Sequence, residues 1–224
     1  MRDVRNLTST DWWILDLMLA AQTTAFVIAP SSVFALMAGL LTCVSLIFCD
    51  RGMSTTYPSA IGANIAAIVV SASTGLLGDV LSRSLMIILS CVGIILWSGS
   101  SDDTGIVVPR KLSRKGWLLA AGAIMGLYLP ILSLSLATGA SSPWLASLLL
   151  PLTLVAEILM LKGYSAQWQL WLALDGINVL TWLMLLLGGA GASAVSMLAL
   201  NAIMAINGIY GFIVWKRMLS KEEG

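Results

Sequence analysis

The chain has 224 residues, of which 58% are hydrophobic and 10% charged, and its formal net charge is +1. Soluble domains carry about 25% charge, so an ordinary globular domain is excluded, and the near-neutral balance offers no surface for nucleic acid. Histidine is absent, which removes histidine catalysis, histidine metal sites and histidine proton relays together.

Apolar runs recur along the whole chain, too often for one core, and this is the pattern of an all-α, polytopic membrane protein. Residues 1–11 are a polar lead with Arg2 and Arg5, and 12–29 are long enough to span. That first run ends without a small-x-small cleavage site, so it reads as a retained helix. Pro30, Ser31 and Ser32 turn the chain into a second span, 33–49, which stops at Asp50-Arg51-Gly52. A third begins near Tyr57, with Pro58 in the first turn where a helix tolerates it, and ends near 75–78. A fourth covers 80–97. Residues 99–115 form the one long polar loop, with Asp102, Asp103, Arg110, Lys111, Arg114 and Lys115. A fifth span with Pro130 covers 116–137, and a sixth, kinked at Pro151, covers 143–161. The seventh contains 164–182 and is closed by Gly188, Gly189 and Gly191. The eighth, 193–215, ends in Lys216-Arg217.

Eight transmembrane helices put both termini on one side. If that side is the cytoplasm, eleven of the twelve basic residues lie there and only Arg83 lies opposite. The positive-inside rule thus favours this count, with both termini cytoplasmic, in a multi-pass protein of the inner membrane. Seven spans would separate the basic termini. Cys43, Cys49 and Cys91 lie in apolar stretches without metal-like spacing and read as small hydrophobes, so no metal or cofactor is expected.

The most informative stretch is 164–182. Tyr164, Trp168, Trp171, Asp175, Asn178 and Trp182 follow at spacings of four, three, four, three and four, which keeps them on one helical face. The residues between are mostly aliphatic, so an oily helix carries one aromatic and polar stripe. Lipid offers Asp175 and Asn178 no hydrogen bonds, so the stripe should face a cavity. Asp175 stands about 13 Å along its helix at 1.5 Å per residue, close to the midplane. A carboxylate there costs about 2.5–3.5 kcal/mol on insertion scales and is a functional candidate by default; the bland alternative is a protonated Asp175 bonded to Asn64 or a neighbouring helix. Trp168 and Trp171 offer faces on which a planar, cationic heteroaromatic ring can stack. Glu157, central in the sixth span, and Asp175 would complement the charge, while Asn64 and Asn178 would bind hydroxyl groups. Tyr164, Asn207 and Tyr210 complete the candidate set. Asp16 reads as structural or interfacial.

A repeat runs through the chain. A shift of 111 maps Arg51 onto Lys162, Gly52 onto Gly163, Tyr57 onto Trp168 and Asn64 onto Asp175; after a seven-residue insertion, Gly93-x-x-x-Trp97 maps onto Gly211-x-x-x-Trp215. The domain reading follows: 1–32 an extra N-terminal transmembrane helix, 33–98 a first three-helix repeat, 99–115 a basic cytoplasmic loop, 116–139 a linker helix, 140–217 a second three-helix repeat and 218–224 a cytoplasmic tail. An odd linker helix leaves the repeats parallel, a SWEET-like 3+1+3 plan in which a substrate site lies between the halves. The first-repeat positions that match the stripe, Tyr57, Ala60, Asn64, Ala67 and Ser71, are smaller, so the pocket should be asymmetric.

These motifs resemble those of the PnuC-type transporters of nicotinamide riboside and related vitamin precursors. The resemblance rests on Thr153-Leu-Val-Ala-Glu157-Ile-Leu-Met160, Lys162, Tyr164 and Trp168-x-x-Trp171-x-x-x-Asp175, with Gly75-Leu-Leu-Gly-Asp79 and Gly93–Trp97 in the first half. It covers roughly 33–217. The chain departs from the family's pattern at Glu157, often glutamine there, at Ala146, where the family has aspartate, and at the lone Tyr57. The resemblance implies a small-molecule substrate taken up from the bilayer's far side by facilitated diffusion with alternating access, trapping by a cytoplasmic kinase, and association into a homo-oligomer. Nicotinamide riboside leads; thiamine, riboflavin or another nucleoside remain open, as does a ligand-binding subunit of a larger complex. Asp16, Glu157 and Asp175 form no protease or phosphotransferase motif, so an enzyme is not expected.

Overall fold

The computed structural model describes residues 6–30, 32–73, 77–101, 105–139, 143–189 and 192–222. Arg2, Arg5, Ser31, Gly75, Asp102, Asp103 and Gly191 lie outside the described residues, as does the side chain of Ala146. The described residues form eight helices: α1 (Ser9–Ile28), α2 (Val33–Asp50), α3 (Thr56–Ser73), α4 (Leu77–Ser100), α5 (Arg114–Ala137), α6 (Pro143–Leu161), α7 (Gln167–Leu187) and α8 (Ala192–Glu222). Among them are isolated backbone bridges but no named strand. Six of the eight, all but α1 and α3, are long and apolar enough to cross a membrane. Their large side chains point outward: Leu81 is 72% exposed and Leu118 and Leu119 are each 74% exposed. That inverts the soluble rule and is what a lipid-facing surface requires.

Local sequence sets the helix ends. Ser32 and Ser113 cap α2 and α5, each hydroxyl accepting a backbone N–H at 3.1 Å, from Ala35 and Gly116. At the end of α2, Gly52 N–H donates to Cys49 O and Met53 N–H to Phe48 O, both at 2.9 Å; at the end of α6, Gly163 N–H donates to Met160 O at 2.8 Å and Tyr164 N–H to Leu159 O at 2.9 Å. These are two copies of one glycine-centred helix stop, with Gly52 at φ 65° and Gly163 at φ 69°. Tyr164 therefore belongs to the stop of α6, and α7 begins only at Gln167, which takes Tyr164 off the striped face. The ends of α4 and α8 run past the expected Trp97 and Trp215: 216–222 contain no glycine or proline, and α4 takes Gly99 into its last turn.

Helix neighbours fall into two sets. Helix α3 packs on α2 and α4, and α7 packs on α6 and α8; the sets meet where α2 touches α8 and α4 touches α6. Exchanging α2, α3, α4 for α6, α7, α8 carries one of those seams onto the other. Helix α5 leans chiefly on α6, and α1 lies against α8 and α2.

The same exchange governs the core at the end of the bundle that carries Arg51, Lys162 and Lys216. Trp97 Nε1 donates to Met160 O, and Trp215 Nε1 donates to Cys49 O, each at 3.0 Å. The sulfurs of Cys49 and Met160, 111 residues apart, lie 3.7 Å from each other. Tyr57, Trp97, Trp215 and Trp168 pack in series, with ring centroids 5.0, 6.1 and 6.3 Å apart. Two glycines make room: a Cβ on Gly93 would enter the Tyr57 ring, and one on Gly211 would enter the Trp168 ring.

The loop between α4 and α5 is a strap across this core. Val107 N–H donates to Gly52 O at 2.8 Å, Arg110 N–H to Gly163 O at 2.7 Å, and Ser165 N–H to Arg110 O at 2.9 Å. Val107 is buried, with Cγ1 toward Gly52 and Cγ2 toward Gly163, so one valine is wedged between the two equivalent turns. Helix α1 is fixed separately. Arg51 Nε donates to both Asp11 oxygens at 2.9 Å, Nη2 lies 2.8 Å from Oδ2, and Tyr210 Oη donates to Asp11 Oδ1 at 2.6 Å.

Gly211→Ala forces Trp168 and Asp50 apart and is expected to destabilise the fold by about 1–3 kcal/mol, the usual range for overpacking. Gly122→Ala on α5, where nothing lies within 4 Å, should leave stability unchanged or slightly raised. Thermal melts of the two variants in detergent check this.

Candidate functional site

A cavity of about 270 Å³ lies between the two sets of helices, directly against the aromatic core. From α2 and α3 it takes Ser45, Cys49, Thr56, Tyr57 and Ala60; from α6, α7 and α8 it takes Glu157, Met160, Trp168, Trp171, Asp175, Asn207 and Gly208. Ser45 and Thr56 hold α2 to α3, the hydroxyls 3.0 Å apart and Thr56 Oγ1 donating to Ser45 O at 2.8 Å. Gly208 lets Asp175 approach α8, since a Cβ there would stand 3.0 Å from Asp175 Oδ2.

A second cavity, about 680 Å³, shares Ser45, Leu46, Ala60, Glu157, Trp171 and Met204 with the first. Its further residues, among them Gln22, Asn64, Arg83 and Leu200, lie along the helices away from the basic end. The two form one continuous recess. Trp168 and Tyr57 are its floor, and the Trp97–Trp215 pair and the strap lie beneath it.

The aromatic and charged groups are distributed unevenly. Glu157 and Asp175 bring two carboxylates to the inner cavity, and among the described residues no lysine or arginine lines it; Arg83 is in the lining of the outer one. Three residues of the inner cavity carry buried polar atoms with no hydrogen-bond partner among the described residues: Tyr57 Oη, Trp168 Nε1 and Asn207 Oδ1. Buried groups of this kind are rare in folded proteins and call for a water or ligand partner. The described residues contain no cluster of acidic, cysteine or histidine side chains suited to a metal.

Of the residues singled out in the sequence, Trp168, Trp171, Asp175, Glu157 and Asn207 meet in the inner cavity. Asn64 lies in the outer one, where its amide Nδ2 donates to Ala60 O at 2.9 Å. Asn178 is in the lining of neither cavity. Tyr164 packs against the apolar cluster of α5, α6 and α7 instead. Tyr210 is engaged by Asp11 and Arg51 and is also absent from the cavity lining. Ser45, Cys49, Thr56, Met160 and Met204 were not singled out. For Cys49 and Met160 the signal was available, since the repeat shift of 111 carries one onto the other. Ser45, in an apolar run, and Thr56, in the polar turn before Tyr57, are ordinary small polar residues and leave no such trace.

Residues 32–217 match the family described as nicotinamide mononucleotide transporter. The nicotinamide riboside transporter PnuC of Neisseria mucosa is 24% identical over 219 residues, 95% of this chain and 82% of that protein. The PnuC of Haemophilus influenzae is 25% identical over 215 residues, 93% of this chain and 90% of that protein. The crystal structure of the vitamin B3 transporter PnuC shares the fold, with a TM-score of 0.78 at 21% identity over 98% of this chain and 96% of that one. With its multi-pass helices and 186 matched residues in a single run, from 32 to 217, the chain belongs to the nicotinamide mononucleotide transporter family of membrane proteins.

Proposed function

We propose that this protein is a transporter, not an enzyme, that carries nicotinamide riboside across the cell membrane by facilitated diffusion with alternating access. One observation carries the choice of ligand: among the described residues the inner cavity holds two carboxylates and two tryptophans and no basic side chain. Nicotinamide riboside has a planar ring with a fixed positive charge and neutral ribose hydroxyls. The ring stacks on Trp171 and Trp168 as a cation on an aromatic face, with Asp175 and Glu157 as counter-charges. The unpartnered Asn207 Oδ1 and Tyr57 Oη are available to hydroxyl groups. A nucleotide fits this lining poorly. Its phosphate would face two carboxylates without a lysine or arginine to neutralise it, and desolvating an unpaired charge is costly. The same argument explains trapping: once a cytoplasmic kinase has added a phosphate, the product no longer suits the cavity and does not return.

The recess leads away from the basic end. With that end cytoplasmic by the positive-inside rule, all eight helices crossing and both termini inside, this conformation faces outward. The 3+1+3 arrangement, with α2–α4 and α6–α8 as parallel repeats, α5 as linker and α1 outside both, makes the inward-facing state the reciprocal one. Reaching it requires the Tyr57–Trp97–Trp215–Trp168 series to part and Val107 to leave its wedge. Thiamine is the second reading, favoured by the pair of carboxylates, because it too carries a cationic ring.

Titrating the purified protein with nicotinamide riboside, thiamine and nicotinamide mononucleotide, followed by tryptophan fluorescence, tests the assignment. Saturable quenching by the riboside and none by the mononucleotide is expected; quenching by thiamine alone favours the second reading, and binding of the mononucleotide overturns the charge argument. Trp171→Ala should weaken riboside binding by about 1–3 kcal/mol, the range for loss of one aromatic stack on a base. Asp175→Asn, which keeps shape and removes charge, should weaken it about tenfold, as for a lost charge-assisted contact of about 1.5 kcal/mol. Asp175→Asn should leave any binding of neutral riboflavin unchanged, since that ligand has no charge for the carboxylate to balance.

A further inference from the structure

A separate groove lies at the basic end, away from the central recess. It has a volume of about 270 Å³ and is bounded by the strap, the first turn of α5, the start of α7 and the last turns of α8. Lys111 and Lys216 reach it from the strap and from α8, and Ser165 and Gln169 add polar groups. Its walls are apolar, chiefly Trp117 and Phe212. Among the described residues, no carboxylate lines it.

We propose that this groove binds the headgroup of an anionic phospholipid. Three observations converge on that occupant. The charged side chains that line it among the described residues are both lysines, and the groove lies at the ends of three helices, level with the start of α5, which is the depth of a headgroup. Trp117, 37% exposed, stands beside Leu118 and Leu119, each 74% exposed, so the apolar wall runs straight onto the lipid-facing side of α5. A soluble anion would use the lysines but not this wall. A zwitterionic lipid would use the wall but bring its own cation to Lys111 and Lys216. Basic grooves between transmembrane helices are suited to acidic headgroups on both counts.

The groove is tied to the closure of the bundle. Ser165 N–H donates to Arg110 O at 2.9 Å and Arg110 N–H donates to Gly163 O at 2.7 Å. Ser165 lines the groove and Arg110 precedes Lys111, so a headgroup held by Lys111 also holds the strap onto the α6 turn. The proposal depends on the helices spanning a bilayer and not on which ligand enters the central cavity.

Native mass spectrometry of the whole protein, with phosphatidylglycerol and phosphatidylcholine supplied together, tests it alongside thermal melts. Preferential retention of phosphatidylglycerol is expected, together with a melting point raised by that lipid. The preference should fall roughly fivefold per lysine removed, so about thirtyfold in Lys111→Gln with Lys216→Gln, while Lys111→Arg with Lys216→Arg keeps it. Both lysines are exposed, so the variants should fold. Equal retention of phosphatidylglycerol by wild type and the glutamine variant would overturn the site as a non-specific annulus. Stabilisation of the wild type alone by inorganic phosphate or nicotinamide mononucleotide, without lipid preference, would overturn it in favour of a soluble anion. Loss of riboside binding in the central cavity would leave this result untouched, so the two readings fail separately.

Discussion

The architecture depends on a reciprocal pair of hydrogen bonds across the seam between its two sets of helices. Trp97 on α4 reaches the carbonyl of Met160 on α6, and Trp215 on α8 reaches the carbonyl of Cys49 on α2. All four partners are buried, both tryptophans completely, so neither indole N–H can fall back on water, and an unmade bond there would cost the full desolvation of the group. The carbonyls belong to the last turns of α2 and α6, just before Gly52 and Gly163. Those glycines end the helices sharply enough for Val107 to enter between them. Position, aromatic packing and strap thus form one unit, and the cavity is the space left above it.

That unit also closes the recess at the basic end, and on the proposed reading it is what a substrate must open. Trp168 is at once a wall of the cavity and a partner of Trp215 in the closed core, with ring centroids 6.3 Å apart. A ligand stacked against Trp168 therefore touches the group whose displacement opens the other end. The arrangement fits a carrier whose substrate biases its own gate, because a ligand shifts an equilibrium only through contacts that differ between the two states. The outer chamber is the wider and is lined mostly by apolar side chains with Asn64 and Arg83 among them, while the inner one is narrower and holds Glu157 and Asp175. On the proposed reading, the carboxylates of the inner chamber favour a cation and disfavour a phosphate.

Much of this was legible in the chain, for identifiable reasons. Long apolar runs fix α2 and α6 to within a residue, because Pro143, Gly52 and Gly163 punctuate them. The stripe on α7 announces Trp168, Trp171 and Asp175, because a polar or aromatic face on an oily helix has few other uses. The repeat shift reaches further than the residues first drawn from it, linking Cys49 with Met160 as well. Other features left no trace. Tyr164 has the spacing of the stripe, yet the glycine stop of α6 claims its backbone. Tyr210 is captured by Asp11, a residue in a polar lead that resembles an exposed cap until Arg51 meets it from 40 residues away. Val107 is one of four aliphatics in a polar loop, and only its contacts with Gly52, to whose carbonyl its N–H donates, and with Gly163 make it a wedge.

The central claim is that a cationic nucleoside, and not its phosphate, passes through this cavity down its own gradient. Uptake of labelled nicotinamide riboside into vesicles containing only this protein, with no ion gradient, measures that directly. The account predicts saturable uptake that stops when the inside and outside concentrations are equal and is not competed by nicotinamide mononucleotide. Uptake of the mononucleotide itself, or riboside accumulation that requires an imposed proton gradient, would contradict it.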